Sequence, residues 1–321
     1  MYKSVLIGLG NIGIEYDYKL SIESYALTHA QALQKNNNFD LLLGIDISKN
    51  QRSRFNNKYN LPTLSIVSKK ILEYEPALVT IAVNTNNHLN ELERLFNICK
   101  PKVVLVEKPL AFELKDAERI VELSDYYKIP IAVNYFREFE PAHRNLIKII
   151  KNNLGFPLNI IVHYSGGLKN MGSHFLQYLS NFMGEVLDIN IIDKGEKIND
   201  YDFSPSLRIK YKKGDAYFIS TINKGLSIVE MELIGKNGKI KYHNNGRYYE
   251  KWGFVRDSVF DKNQVFDENP SQHRLNFNNY QSFVYDNIND FLNGQNELYC
   301  NVKNCIQTAH LLDKIDKELS K

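Results

Sequence analysis

Short, continuous apolar runs recur through the first part of the chain. Residues 4–7 (SVLI), 39–47 (FDLLLGIDI), 77–83 (ALVTIAV), 103–106 (VVLV) and 129–134 (IPIAVN) are brief and mostly rich in β-branched residues. Unbroken runs of this kind suit strands buried on both faces of a parallel sheet. Helical patterns lie between them. Residues 87–99 put Leu89, Leu92, Leu95 and Phe96 on one face, and residues 113–127 do the same with Leu114, Ala117, Ile120, Val121 and Ser124. Strands alternating with helices predict a doubly wound α/β domain over residues 1–136.

The rhythm changes in residues 137–321. A helix over 141–152 leads into candidate strands at 158–164, 186–192, 207–211, 216–222, 228–234 and 239–243. Turns such as KKGD at 212–215 and GKNG at 235–238 join several of them as hairpins, which predicts a mostly antiparallel sheet with one face covered. Residues 252–277 show no period and read as irregular. Two helices, 278–292 and 302–319, close the chain. The expected class is therefore α/β: a Rossmann domain followed by an α+β domain with a mostly antiparallel sheet.

Composition narrows the function. The chain has 321 residues, room for two domains. A net charge of +3, with no basic block interleaved with aromatics, argues against nucleic acid as a partner. No apolar run is long enough to span a bilayer, and the first residues lack a secretory pattern, so the expected setting is cytoplasmic with no membrane partner. Three cysteines without a CxxC pair read as free thiols, and His88, His143 and His163 have no metal spacing, so no metal is expected.

Gly8-Leu9-Gly10-Asn11-Ile12-Gly13 is a GxGxxG turn directly after the first strand. Gly8 permits the tight turn, Gly10 lets the backbone approach a pyrophosphate, and Gly13 allows close helix–strand packing. Amides at a helix start, those of Asn11 and Ile12 among them, complete an anion site. Asp46, ending the second strand, can accept from ribose hydroxyls and would repel a 2′-phosphate, which favours NAD over NADP. It can equally cap the next helix. The distance from Gly13 to Asp46 exceeds the usual spacing of roughly 20 residues. The excess lies in residues 15–25 (EYDYKLSIESY), an inserted loop that can cover a cofactor, meet a neighbouring subunit or simply be solvated.

Glu107-Lys108-Pro109 follows the fourth strand, at the sheet end where ligands of open α/β folds bind. Lys108 there can hydrogen-bond a substrate hydroxyl and stabilise a developing alkoxide; Glu107 belongs to the same cofactor-side turn.

With GLGNIG at 8–13, EKP at 107–109, NYFREFEP at 134–141 and NMGSHFLQYL at 170–179, the sequence resembles the glucose–fructose oxidoreductase/inositol dehydrogenase (Gfo/Idh/MocA) family across both domains. The resemblance implies an open-faced sheet in the C-terminal half, a cis bond before Pro109, and hydride chemistry on a sugar, sugar nucleotide or cyclic polyol. His174 matches the histidine of the family's D-x-x-x-H motif and is the expected acid/base; a structural histidine is the plainer alternative. Asn170 stands where the family has aspartate, and Gln177 where an acidic residue is frequent. Asn170 can orient a hydroxyl or the imidazole but cannot take a proton. Arg137 and Asn134 after the last Rossmann strand, and Tyr164 and Lys169 on the approach to His174, are candidate substrate contacts; Arg137 can instead pair with Glu138 or Glu140.

The expected reaction is NAD-dependent oxidation of a secondary ring alcohol. His174 takes the hydroxyl proton and Lys108 steadies the oxygen. Two alternatives stay open: NAD-assisted elimination or hydrolysis on the same scaffold, and a non-catalytic NAD-binding regulator, which the Asn170 replacement motivates. The open sheet face predicts a homo-oligomer.

Overall fold

A computed structural model describes residues 1–221 and 227–321. They fall into two compact units. The first comprises Met1–Glu140 with Asn278–Ala309, and the second Pro141–Phe277 with His310–Lys321. The break thus falls four residues after the expected one, and residues 278–309, expected in the C-terminal domain, pack into the first unit.

The first unit is built on a six-stranded parallel sheet in the order β3-β2-β1-β4-β5-β6. Its strands are β1 (Tyr2–Ile7), β2 (Phe39–Ile45), β3 (Thr63–Leu64), β4 (Leu78–Ile81), β5 (Val103–Val106) and β6 (Ile131–Val133). β4 and β5 are buried at every position, which is why they read as unbroken apolar runs. The helices are α1 (His29–Lys35), α2 (Lys49–Tyr59), α3 (His88–Ile98) and α4 (Leu114–Tyr127). The two-residue β3 gives no apolar run, and α2 is too polar to show an apolar stripe; its start is set by Ser48, whose hydroxyl accepts from the Gln51 amide. After the glycine turn the chain makes one π-helical turn, Asn11–Glu15, and full helix resumes only at α1 behind the Thr28 cap.

Residues 15–25 are not a loose solvated loop. Asp17 is fully buried and accepts from the Leu27 and Thr28 amides and the Thr28 hydroxyl at 2.6–2.8 Å. Glu15 forms a two-pronged pair with Arg54 of α2 at 2.6 and 2.7 Å, and Arg54 also lies over the Tyr18 ring. The segment is anchored at both ends, while Tyr16, Leu20 and Ile22 are exposed.

The second unit opens with α5 (Pro141–Ile149) and holds α6 (Ser173–Ser180) against an eight-stranded sheet. The strands are β7 (Leu158–Tyr164), β8 (Val186–Asn199), β9 (Asp202–Tyr211), β10 (Gly214–Ser220), β11 (Val229–Gly235), β12 (Gly238–His243), β13 (Tyr248–Trp252), β14 (Phe254–Arg256), β15 (Gln264–Phe266) and β16 (Ser271–Arg274). The sheet order is β16-β13-β12-β11-β7-β10-β9-β8, all antiparallel except the β7–β10 pair, with β14 and β15 forming a separate hairpin. The hairpins at KKGD and GKNG are present. Residues 252–277 are a correction: they hold β14, β15 and β16, each too short to show a period. Ile222, expected at the end of a strand, lies outside the described residues. One sheet face packs Leu158, Ile160, Val162, Leu207, Ile209, Phe218 and Leu233 into a core with Phe175, Leu176 and Leu179 of α6. Ile161 and Tyr217 stand on the other face and are exposed. The chain closes with α7 (Tyr280–Leu292) and α8 (Val302–Leu319).

Candidate active site

Between β1 and β4 the strand order reverses, and the carboxyl end of a parallel sheet at such a reversal is where ligands bind. Four of the sequence candidates collect there: the glycine turn after β1, Asp46 after β2, Glu107–Lys108 after β5 and Asn134 after β6.

The three glycines have separate jobs. Gly8 has φ +96°, and a Cβ there would lie 2.5 Å from the Ala82 carbonyl group, so no side chain fits. A Cβ on Gly13 would lie within 2.3 Å of the Gly8 carbonyl oxygen, which packs the turn on itself. Gly10 differs: nothing lies within 4 Å of its absent Cβ. Steric need therefore explains Gly8 and Gly13, whereas the open space at Gly10 fits an approaching pyrophosphate. Asp46 serves the turn directly. Its Oδ2 accepts the Leu9 amide at 2.8 Å and its Oδ1 the Ser48 amide at 2.7 Å. It ties the glycine turn to the start of α2, and a carboxylate has further lone pairs for ribose hydroxyls.

Glu107 receives three donors. Asn134 Nδ2 and His29 Nε2 reach its Oε1 at 2.6 and 3.0 Å, and the Lys108 amide reaches its Oε2 at 3.1 Å. Burial pushes this carboxyl up, but the hydrogen bonds and nearby charge of His29, with Asn134 and Lys108, more than offset it. Glu107 ends below the ordinary carboxylate range. It is thus held ionised, and Asn134, 1% exposed, gives its Nδ2 to Glu107 and Gln281. The Lys108–Pro109 bond is cis, as the resemblance implied. Arg137 lies in the 3₁₀ turn Phe136–Phe139, its guanidinium 4.7 Å from the Phe136 ring centre, and Phe136 packs on Tyr280 at 4.1 Å.

In the second unit, Gly166 and Gly167 both take positive φ and start a π turn, Leu168–Gly172, that runs into α6. His174 is the second residue of α6 and is buried. Asp202 on β9 organises this segment: its Oδ1 accepts the Lys169 amide at 2.8 Å and its Oδ2 the Asn170 amide at 3.0 Å. A Cβ on Gly167 would collide with the same carboxylate. Asn170 turns its own amide back to the Gly166 carbonyl at 3.3 Å. Lys169 is buried, with its ammonium 2.7 Å from Asp316 of α8. Tyr164 is withdrawn as a substrate contact. It ends the inward-facing row of β7, is fully buried, and its hydroxyl donates to the Pro205 carbonyl.

The sequence reading missed His29, Gln281 and Tyr285 around Glu107, and Asp202 beneath Lys169 and Asn170. None sits in a motif. The one local hint was His29, directly after a capping threonine.

Among the described residues no group of three or more His, Cys, Asp or Glu is placed to hold a metal, and no helix is long and apolar enough to cross a membrane. The three cysteines are buried free thiols.

Residues 3–135 match the model of the Gfo/Idh/MocA family, described as an oxidoreductase family with an NAD-binding Rossmann fold. Over this N-terminal stretch the chain is similar to that family. It is 24% identical over 267 residues to glucose-6-phosphate 3-dehydrogenase of Bacillus subtilis, covering 70% of this chain and 73% of that protein. Two solved structures share the fold over nearly the whole chain. A dehydrogenase (MviM) from Clostridium difficile superposes with a TM-score of 0.74 at 18% identity, covering 99% of both chains. The WlbA dehydrogenase of Bordetella pertussis, solved with NADH and UDP-GlcNAcA, gives 0.76 at 13% identity, covering 99% of this chain and 95% of that one. Residues 3–135 thus match an oxidoreductase family with an NAD-binding Rossmann fold, and the proteins the chain resembles are named dehydrogenases.

Proposed function

We propose that this protein oxidises a secondary ring hydroxyl of a hexose or nucleotide-linked hexose, with NAD preferred to NADP. The observation that carries the proposal is the switch-point cluster, in which a glycine turn open at Gly10 shares the sheet end with Asp46 and the Glu107-anchored Lys108. Gly8, Gly10, Asn11, Ile12 and Gly13 hold the pyrophosphate, and Asp46 takes the ribose hydroxyls and disfavours a 2′-phosphate. Bound NAD supplies the acceptor for the hydride leaving the carbinol carbon. The Lys108 ammonium donates to the hydroxyl oxygen and steadies its growing negative charge. His174, near the beginning of α6, takes the hydroxyl proton. Alcohol thereby becomes ketone, with one hydride and one proton removed.

Two relatives bear names that specify oxidation at C3 of a hexose, glucose-6-phosphate 3-dehydrogenase and a UDP-N-acetylglucosamine 3-dehydrogenase from Acidithiobacillus ferrooxidans. The C3 hydroxyl of glucose 6-phosphate or of a UDP-hexosamine is thus the first substrate to try. Residues 1–140 with 278–309 are assigned to the cofactor and 141–277 with 310–321 to substrate and self-association, through the sheet face bearing Ile161 and Tyr217. Lys169, whose ammonium pairs with Asp316, and Arg137 keep candidate roles toward a substrate anion. In a screen of sugar phosphates and UDP-sugars with NAD, His174→Ala is expected to lower turnover by about 10²–10⁴-fold. Its NADH affinity should stay within about threefold of wild type, since remote cofactor binding is uniform binding. Unchanged turnover in His174→Ala would overturn the acid/base role.

A further inference from the structure

Behind the Glu107–Lys108 turn, within the first unit, lies an unbroken row of buried hydrogen-bonding side chains. The Thr80 hydroxyl on β4 lies 3.2 Å from the Tyr285 hydroxyl on α7. That hydroxyl lies 2.8 Å from His29 Nδ1, and His29 Nε2 lies 3.0 Å from Glu107 Oε1. Thr80, His29 and Tyr285 have no exposed surface. An ionised carboxylate only accepts, so the hydrogen between His29 and Glu107 belongs to Nε2; the two hydroxyls can turn to serve Nδ1 either way. From this fixed position Glu107 accepts the Lys108 amide with one oxygen and the Asn134 amide with the other.

Resting on the reading of Lys108 as the group that steadies the substrate oxygen, we infer that His29 is a positioning residue. It aims the Glu107 carboxylate so that Glu107 can fix the main chain carrying Lys108 and the side chain of Asn134. His29 itself touches neither cofactor nor substrate. A glutamate side chain has three rotatable bonds, and here donors from three places lock it: α1, the residue after β6 and its own turn. Without His29 the carboxylate keeps its burial but loses one of its two side-chain donors. Burial then favours the protonated acid, which donates where it should accept. The other groups near Glu107 are Lys108 beside it, His88 on α3, and Tyr280 and Tyr285 on α7. A displacement of about 1 Å in a catalytic group can cost about 100-fold in rate.

The test uses His29→Leu, His29→Gln, Glu107→Gln and the double variant His29→Leu/Glu107→Gln in the full chain. Glutamine can place an amide nitrogen where Nε2 stands, so it restores the donor to Glu107. Turnover is followed as NADH formed from NAD with glucose 6-phosphate and with UDP-N-acetylglucosamine. His29→Leu should lower kcat about 10–100-fold with little change in KM, and His29→Gln should recover most of that loss. Thermal unfolding between about pH 5 and pH 8 supplies a readout independent of turnover. The loss of Tm in His29→Leu should be larger at the upper end of that range, where Glu107 must be ionised, and should shrink in the Glu107→Gln background. Equal kcat in all His29 variants, or the same Tm loss with and without Glu107, would overturn the inference. If wild type binds no NADH and oxidises neither sugar, the dehydrogenase reading fails. The Tm cycle then still decides, because additive losses refute the positioning of Glu107 by His29 and non-additive losses support it.

Discussion

Gly8 and Gly10 are two residues apart in one motif, yet the structure assigns their substitutions opposite outcomes. Gly8→Ala places a methyl at φ +96°, 2.5 Å from the Ala82 carbonyl group and 2.7 Å from the Val83 nitrogen. Left-handed backbone costs a non-glycine residue about 1–2 kcal/mol. Overlap with neighbouring backbone adds about 1–3 kcal/mol, since neither atom is the movable end of a side chain. A total near 3 kcal/mol corresponds to a Tm lowered by about 6–12 °C for a unit of this size. Gly10→Ala meets nothing within 4 Å, and its φ of −79° lies outside the left-handed region. Its Tm should be unchanged or raised slightly by the stiffer unfolded chain. If the space at Gly10 belongs to the pyrophosphate, this variant should lose about tenfold or more in NADH affinity, about 1.4 kcal/mol. Differential scanning fluorimetry of the cofactor-free proteins, paired with NADH fluorescence titration, reads both effects. A Gly10→Ala protein that binds NADH like wild type would refute the placement of the pyrophosphate. A Gly8→Ala protein with wild-type Tm would refute the steric argument.

Three further outcomes follow from the geometry. Tyr285→Phe strips the hydroxyl shared by His29 and Thr80 and leaves two buried polar groups a partner short, so urea unfolding should show a loss of about 1–3 kcal/mol; no loss would mean the row is not formed. Burial holds the Asp202 carboxyl above its ordinary value despite the Lys169 and Asn170 amides, so the folded state keeps its proton longer than the unfolded state. Stability should fall as pH rises through the window from the ordinary carboxyl value to the raised one, and Asp202→Asn should remove that slope; an identical slope in both proteins would contradict it. Light scattering at micromolar concentration should give a multiple of the 37.3 kDa chain mass, and a monomer would refute association through the exposed sheet face.

The parallel strands were legible because burial on both faces leaves little alternation to blur, and β2, β4, β5 and β6 fall within their apolar runs. The glycine turn and the Glu107–Lys108 turn were legible because each follows such a strand directly. The polar helix α2 and the two-residue β3 leave no pattern to find. Side-chain partners were the least visible. Asp202 acts on Lys169 and Asn170 from more than thirty residues away, and Tyr285 meets His29 across 256 residues. A strand or helix position tells where a side chain starts but not which distant group it meets. Tyr164 misled for the same reason: nearness to His174 in sequence suggested a pocket, whereas the two-residue period of β7 turned it into the core.

The most direct test of the account is a paired titration with NADH and NADPH, followed by NAD reduction with glucose 6-phosphate and UDP-N-acetylglucosamine as trial substrates. NADH should bind more tightly than NADPH, and at least one of these sugars should give NADH formation that is lost in Lys108→Met and His174→Ala. Binding of neither nucleotide would contradict the assignment of the Gly8–Gly13 turn and Asp46, and the hydride-transfer reading with it.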